Sequence, residues 1–138
     1  MVRTFTLGAL GLGLVVAPIG ANAADMSYLV RARVPVHCVV QQQAPGVADA
    51  NGASVSLGQF REYCNAPSGY ELIVRYSPGT LQGTVLTSGS DTVVLNGSGE
   101  AVLSRASGPR MIERNIMAAP GENGFDTDRL ELLLVPRQ

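Results

Sequence analysis

The chain has 138 residues, a formal net charge of −1 and a hydrophobic fraction of 46%. Its 10 basic and 11 acidic side chains leave no positive excess, which argues against a nucleic-acid-binding protein. None of the basic residues is lysine, so chemistry through a lysine Schiff base is excluded.

Residues 1–23 have the pattern of a secretory signal peptide. Arg3 supplies a short basic region, residues 7–16 form an apolar region, and Ala21-Asn22-Ala23 fits the small-x-small cleavage rule. The apolar run is too short for a good membrane-spanning helix, and an uncleaved N-terminal anchor is the alternative. We therefore expect an exported protein whose mature chain begins near Ala24 and contains one domain of about 115 residues.

Residues 24–34 are predicted to form an N-terminal strand, and within them residues 26–34, the N-terminal segment, alternate as a half-buried β-strand does. Five side chains share one face, and the other face carries polar residues, with Leu29 as the exception. The five are Met26, Tyr28, Val30, Ala32 and Val34. Such a strand can pack within its own domain, residues 35–138, or into a neighbouring molecule.

The two cysteines, Cys38 and Cys64, both lie in the mature chain. Two cysteines in a small exported domain favour a disulfide, which would stabilise the fold by about 3.5 kcal/mol in the chain-entropy model. A zinc site is the alternative, but His37 is the only histidine and cannot complete one with two thiolates. We predict the disulfide and no metal.

Further strand-like segments are separated by Gly, Pro, Asn and Ser turn signals. The clearest hairpin joins residues 92–95 to residues 100–103 through Asn96-Gly97, because this pair supplies the positive φ angles of a tight turn. Residues 111–118 suit either a strand or one or two helical turns. The remaining segments are 34–43, 54–60, 70–76, 83–87 and 130–135. Seven to nine short strands with almost no helical signal predict an antiparallel β-sandwich.

Chemistry-bearing residues are few, so we predict neither an enzyme nor a cofactor. His37 and Cys38 are neighbours in a predicted strand, where they point to opposite faces and cannot act as base and nucleophile. The acidic loop 122–128 lacks the ligand spacing of a known calcium loop, and its residues are common in turns.

The order of these features resembles a chaperone–usher pilin subunit of the spore coat protein U or archaic pilus type. An alternating N-terminal strand precedes Cys38, and Cys64-Asn65 is followed by Gly69-Tyr70-x-Leu72-x-Val74-x-Tyr76. The late segment Gly124-Phe125-Asp126-Thr127-Asp128-x-Leu130-x-Leu132 is similar to the closing pattern of that group. The chain departs from the family in ending Val135-Pro136-Arg137-Gln138, without a terminal aromatic residue.

The resemblance implies an incomplete immunoglobulin-like sandwich that is completed by donor-strand exchange. A periplasmic chaperone would first fill its apolar groove, and an outer-membrane usher would then assemble the subunits into a filament on the cell surface. The five alternating residues of the N-terminal segment would be the donor residues. Leu130, Leu132 and Leu134 would line one edge of the groove.

Two functions are therefore expected from the sequence. The first is a structural subunit of a pilus-like filament, in which residues 26–34 join the next subunit. The second is a self-complete monomeric binding module of the periplasm or the extracellular space, whose N-terminal strand pairs within its own domain and whose loops present contacts to a ligand.

Overall fold

The computed structural model describes residues 27–48, 52–126 and 130–138. These residues contain eight antiparallel strands and no helix, which confirms the predicted all-β sandwich. The strands are β1 (Cys38–Pro45), β2 (Val55–Cys64), β3 (Tyr70–Tyr76), β4 (Val85–Ser88), β5 (Asp91–Val94), β6 (Glu100–Ala106), β7 (Arg110–Ala119) and β8 (Leu130–Pro136).

The chain divides into two units, Met1–Ala32 and Arg33–Gln138, and all eight strands belong to the second. In the first unit the described residues, 27–32, belong to no strand and are exposed. The predicted signal peptide and Met26 lie outside the described residues.

The strands form two sheets. The larger has the order β1-β2-β7-β4-β5 and the smaller has the order β6-β3-β8. Strands β1 and β8 are therefore edge strands of different sheets, and they lie side by side.

The core between the sheets is built from alternating side chains. Tyr70, Leu72, Val74 and Tyr76, predicted to share one face of β3, are all buried. Leu72, Val74 and Tyr76 pack in one cluster with aliphatic residues of the other sheet, including Leu86 and Ile116, each with no exposed surface. Tyr70 packs beside Cys64. The period-two pattern of β3 thus fixes which side of the small sheet faces inward.

Two β-bulges shape the pairing of β2 with its neighbours. Gln43 is the extra residue on β1, and Leu57 is the extra residue on β2. Gly58 follows with a φ of 108°, and a Cβ placed there would lie 2.1 Å from the Ala44 carbonyl oxygen. Glycine is needed here because any side chain would collide with the partner strand.

The predicted Asn96-Gly97 hairpin is wrong. Gly97 does adopt a positive φ of 83°, but β5 pairs with β4 in the large sheet and β6 pairs with β3 in the small one. Residues 95–99 form a corner that carries the chain between the sheets. Backbone bonds to other loops hold this corner: Gly79 N–H donates to Gly97 O, and Gly83 N–H donates to Leu95 O.

Element limits differ from the sequence prediction at several places, of which three bear on the site. The ambiguous segment 111–118 is a strand, within β7, because it lies between β2 and β4 and pairs with both. Strand β2 continues four residues beyond Phe60, through Arg61 and Glu62 to Cys64. Strand β1 begins at Cys38 instead of residue 34. Pro35, which has no N–H to donate, precedes it.

The predicted disulfide is confirmed. Cys38 and Cys64 face each other directly in the β1–β2 ladder, with their Cα atoms 4.1 Å apart. Their sulfur atoms are bonded to each other. The bond ties the first residue of the edge strand to the last residue of its neighbour.

Candidate functional site: an apolar groove between two edge strands

A cavity of about 640 Å³ lies between the β1–β2 pair and β8. The two sheets do not pair here, since β1 and β8 end the strand orders of their respective sheets. In the described part of the chain, neither strand has a ladder partner on its outer edge. We call this cavity and its two edges the groove.

Most of the side chains that line the groove are apolar, while polar and apolar atoms contribute about equally to its surface. One wall comes from β1, β2 and the loop between them, and the other comes from the first half of β8. The lining residues are Val40, Gln42, Gly46, Ala48, Val55, Ser56, Leu57, Phe60, Leu130, Glu131 and Leu132. Of these residues only Leu57 is buried, so the rest of the wall is accessible to solvent.

The bulges explain why a polar side chain lies in this wall. The extra residue Leu57 takes its carbonyl group out of the regular ladder, and Gln42 Nε2 donates a hydrogen bond to that oxygen at 2.9 Å. The amide of Gln42 thereby satisfies a backbone group that the bulge would otherwise leave unpaired.

Two of the three predicted groove residues line the cavity. Leu130 and Leu132 belong to its β8 wall, whereas Leu134 is absent from the lining and packs beside Cys38 and the buried cluster around Cys64 and Tyr70. The three side chains share one face of β8, but the cavity ends before Leu134.

The opposite wall was missed by sequence reasoning. The alternation of residues 54–60 set Val55 and Leu57 on one face, but only the strand order brings that face opposite β8. Val40 and Phe60 gave no signal that distinguishes a groove wall from an ordinary core position.

The predicted donor residues that the structure describes are all exposed. Tyr28, Val30 and Val34 have 78%, 86% and 75% of their surface accessible, and Ala32 is also exposed. Met26 lies outside the described residues. Residues 27–37 belong to no strand, so the proposed strand character of the N-terminal segment stays a prediction.

A buried charged cluster lies beside the cystine and was not predicted. Glu62 has no exposed surface; Tyr70 Oη donates to its Oε2 at 2.9 Å, and Arg114 Nε lies 2.6 Å from its Oε1. Arg114 Nη1 also donates to Asp91 Oδ2 at 2.9 Å. Burial, followed by the hydrogen bond to Glu62, raises the pKa of Tyr70 to about 12.

Other potential sites in the described part of the chain are sparse. His37 is exposed, with its ring tilted against that of Tyr63 at a centroid distance of 6.2 Å. Within residues 27–48, 52–126 and 130–138, no three His, Cys, Asp or Glu residues are grouped to hold a metal. The same residues include no helix long and apolar enough to cross a membrane.

No family model, curated protein or solved structure matches this chain. The pilin resemblance therefore rests on the motifs quoted above, and the groove is interpreted from its own geometry.

Proposed function

We propose that the protein is an exported structural subunit of a pilus-like filament. Residues 26–34 of one copy add as a β-strand to the groove of the next copy. As in the family it resembles, a periplasmic chaperone and an outer-membrane usher would handle the subunit before assembly.

The observation that carries this proposal is that a cavity lined largely by apolar side chains lies beside two unpaired strand edges. An apolar small molecule of suitable size would fill such a cavity, since ligand sites commonly span about 300–1,000 Å³. It would, however, desolvate edge N–H and C=O groups without bonding to them. An added strand supplies both the apolar side chains and the backbone partners.

The N-terminal segment has the length and pattern that this edge requires. Its nine residues span about 30 Å when extended, and the seven residues of β8 span about 23 Å. Its five alternating side chains would face the cavity, while Ser27, Arg31 and Arg33 would face solvent. Burial of four or five such side chains contributes up to about 8 kcal/mol.

The strand order supports an incomplete sandwich of the immunoglobulin-like kind. A strand added outside β8 would extend the small sheet beyond its present order, β6-β3-β8, and cover the cavity. Because the donor and the acceptor are different surfaces of one chain, the contact is head-to-tail and generates an open fibre instead of a closed ring.

The test uses the mature chain, residues 24–138, with one variant for each half of the contact. Val30→Asp places a charge on the inward face of the donor, and Leu132→Asp places one in the groove wall. We expect each variant alone to be monomeric, and an equimolar mixture to give dimers but no fibres. In the mixture, the Leu132→Asp chain keeps an intact donor segment and the Val30→Asp chain keeps an intact groove. One copy of each can therefore join, and growth stops at two copies.

Light scattering after size-exclusion chromatography and negative-stain microscopy measure these outcomes. Arg31→Ser on the donor and Val135→Asp at the exposed end of β8 are matched controls that should still form fibres. Circular dichroism checks that Leu132→Asp is folded. Wild-type protein that stays monomeric at high concentration, or a mixture that gives no dimer although both variants are folded, would reject the filament and favour the monomeric binding module.

A further inference from the structure

Residues 35–37, the joint segment, connect the proposed donor to β1 and are held by one side chain. His37 N–H donates to Asn65 Oδ1 at 2.6 Å, and Asn65 Nδ2 donates to the Pro35 carbonyl oxygen at 3.0 Å. The backbone adds a third bond, from Asn65 N–H to His37 O at 3.2 Å. Asn65 therefore contacts the backbone of the joint segment on both sides of Val36.

An amide side chain is suited to this position because it accepts and donates at the same time. Asn65 directly follows Cys64, whose sulfur is bonded to that of Cys38. The joint segment is thus fixed next to a covalent crosslink: Cys64, the last residue of β2, is bonded to the first residue of β1, and the next residue, Asn65, holds the chain just ahead of it.

Proline adds a second restriction to the same segment. Pro35 fixes its own φ near −65° and disfavours helical backbone angles at the preceding residue. Val34, the last proposed donor residue, is therefore biased toward the extended conformation that a strand requires. No Gly interrupts residues 33–38, so no residue there has the wide backbone freedom of glycine.

We infer that Asn65 is a positioning residue that makes the joint between donor strand and sandwich rigid, so that consecutive copies meet at a defined angle. The inference rests on the proposed function, and its partner is a second copy of this chain. The hydrogen bonds are exposed, and water replaces such bonds readily. Loss of Asn65 should therefore loosen the joint with little change in the melting temperature.

The first measurement uses the monomeric Val30→Asp chain and amide hydrogen exchange with ¹⁵N relaxation. Asn65→Ala should speed exchange of the His37 amide at least tenfold and lower the order parameters of Val36 and His37 from about 0.85 to below about 0.6. Asn65→Asp still accepts the His37 bond but cannot donate to Pro35. It should therefore keep the His37 amide protected. An unchanged His37 amide in Asn65→Ala overturns the inference.

The second measurement uses fibres of the mature chain and their persistence length in electron micrographs. Asn65→Ala should still polymerise and still bind a synthetic peptide of residues 24–34 within about twofold, because Asn65 is outside the groove. Its persistence length should fall at least twofold. Asn123→Ala, which removes an exposed asparagine outside the groove lining, is the matched control and should leave stiffness unchanged.

The two proposals fail in different ways. Fibres of Asn65→Ala that are as stiff as wild type overturn the rigid joint and leave strand addition intact. Wild-type protein that forms no fibres overturns strand addition and the joint together.

Discussion

Glu62 is a charged side chain with no exposed surface, and its partners reach it from both sheets. Arg114 extends from β7 beside it, while Tyr70 reaches it from β3 across the core. A buried carboxylate is stable only when its oxygens are paired, and removal of one ionic partner typically costs about 3–5 kcal/mol. The cluster therefore fixes how the two sheets face each other near the cystine.

Stability in alkali should depend on Tyr70. Its pKa is about 12 in the folded protein and 10.0 when unperturbed. Its contribution to the free energy of unfolding is therefore complete below pH 10 and is lost as the pH rises toward 12. Tyr70→Phe should lower the free energy of unfolding at pH 8 by about 1.5–3 kcal/mol, since a hydrogen bond to a charged group is lost. The difference from wild type should shrink between pH 10 and 12.

Urea unfolding at pH 8, 10 and 11.5 measures this prediction. Tyr63→Phe is the control, because Tyr63 is 41% exposed. A Tyr70→Phe protein that loses stability in alkali in parallel with wild type would contradict the assignment.

This cluster was beyond the reach of sequence reasoning. Arg61 and Glu62 lie beyond residue 60, where the predicted strand ends, and no sequence pattern indicated that Glu62 is buried. Only the register, in which Glu62 pairs with Ile112 and Phe60 pairs with Arg114, brings Glu62 and Arg114 together on the inward face. That register depends on the bulge at Leu57, and the only sign of this bulge in the sequence is the glycine that follows it, Gly58.

At the level of single elements, the bulge at Gly58 should be intolerant of any side chain. Gly58→Ala combines a φ of 108° with a contact of 2.1 Å to the Ala44 oxygen, so we expect a loss of at least about 2 kcal/mol. Gly89→Ala is the matched control. Its φ is 61° and a Cβ there has nothing within 4 Å, so only about 1 kcal/mol of backbone strain is expected.

Denaturant midpoints of the two glycine variants measure the difference. Equal losses would mean that β1 and β2 separate locally at low cost, contrary to their close approach at Ala44. A larger loss at Gly58 would locate the bulge among the features that hold the edge strand in register.

Strand positions were readable from the sequence, but strand partners were not. Residues 70–76 and 130–135 match β3 and β8 almost to the residue, because alternation and turn residues are local signals. Of the Asn96-Gly97 pair, only Gly97 has the positive φ that the predicted tight turn needs. The strands on either side belong to different sheets, because Leu95 is fully buried and β6 pairs with β3. Pairing is decided by the packing of both sheets, which no short window contains.

For the molecule as a whole, the cystine should supply a large share of stability. Reduction, or the double variant Cys38→Ala with Cys64→Ala, should lower the free energy of unfolding by about 3.5 kcal/mol, since the crosslink spans 26 residues. Urea titrations with and without dithiothreitol measure this loss. The double variant should not respond to the reductant, and an oxidised protein no more stable than the reduced one would refute the expectation.

Only one wall of the groove was expected from the sequence. The resemblance to the pilin family implied that Leu130 and Leu132 line a groove, and both residues line the cavity beside β8. The opposite wall is created by β1 and β2 across the sandwich, and its position follows from the absence of a ladder between β1 and β8. The space between two sheet edges is a property of the whole fold and of no single segment.

The placement of the cystine has a mechanical consequence. Tension applied to the chain ahead of Cys38 meets the covalent crosslink before it meets the first rung of the β1–β2 ladder. The force is therefore transmitted to β2, which lies between β1 and β7. The edge strand β1 is not pulled away from β2 one hydrogen bond at a time. A tether attached at this end should therefore withstand pulling forces that would strip an uncrosslinked edge strand from its sheet.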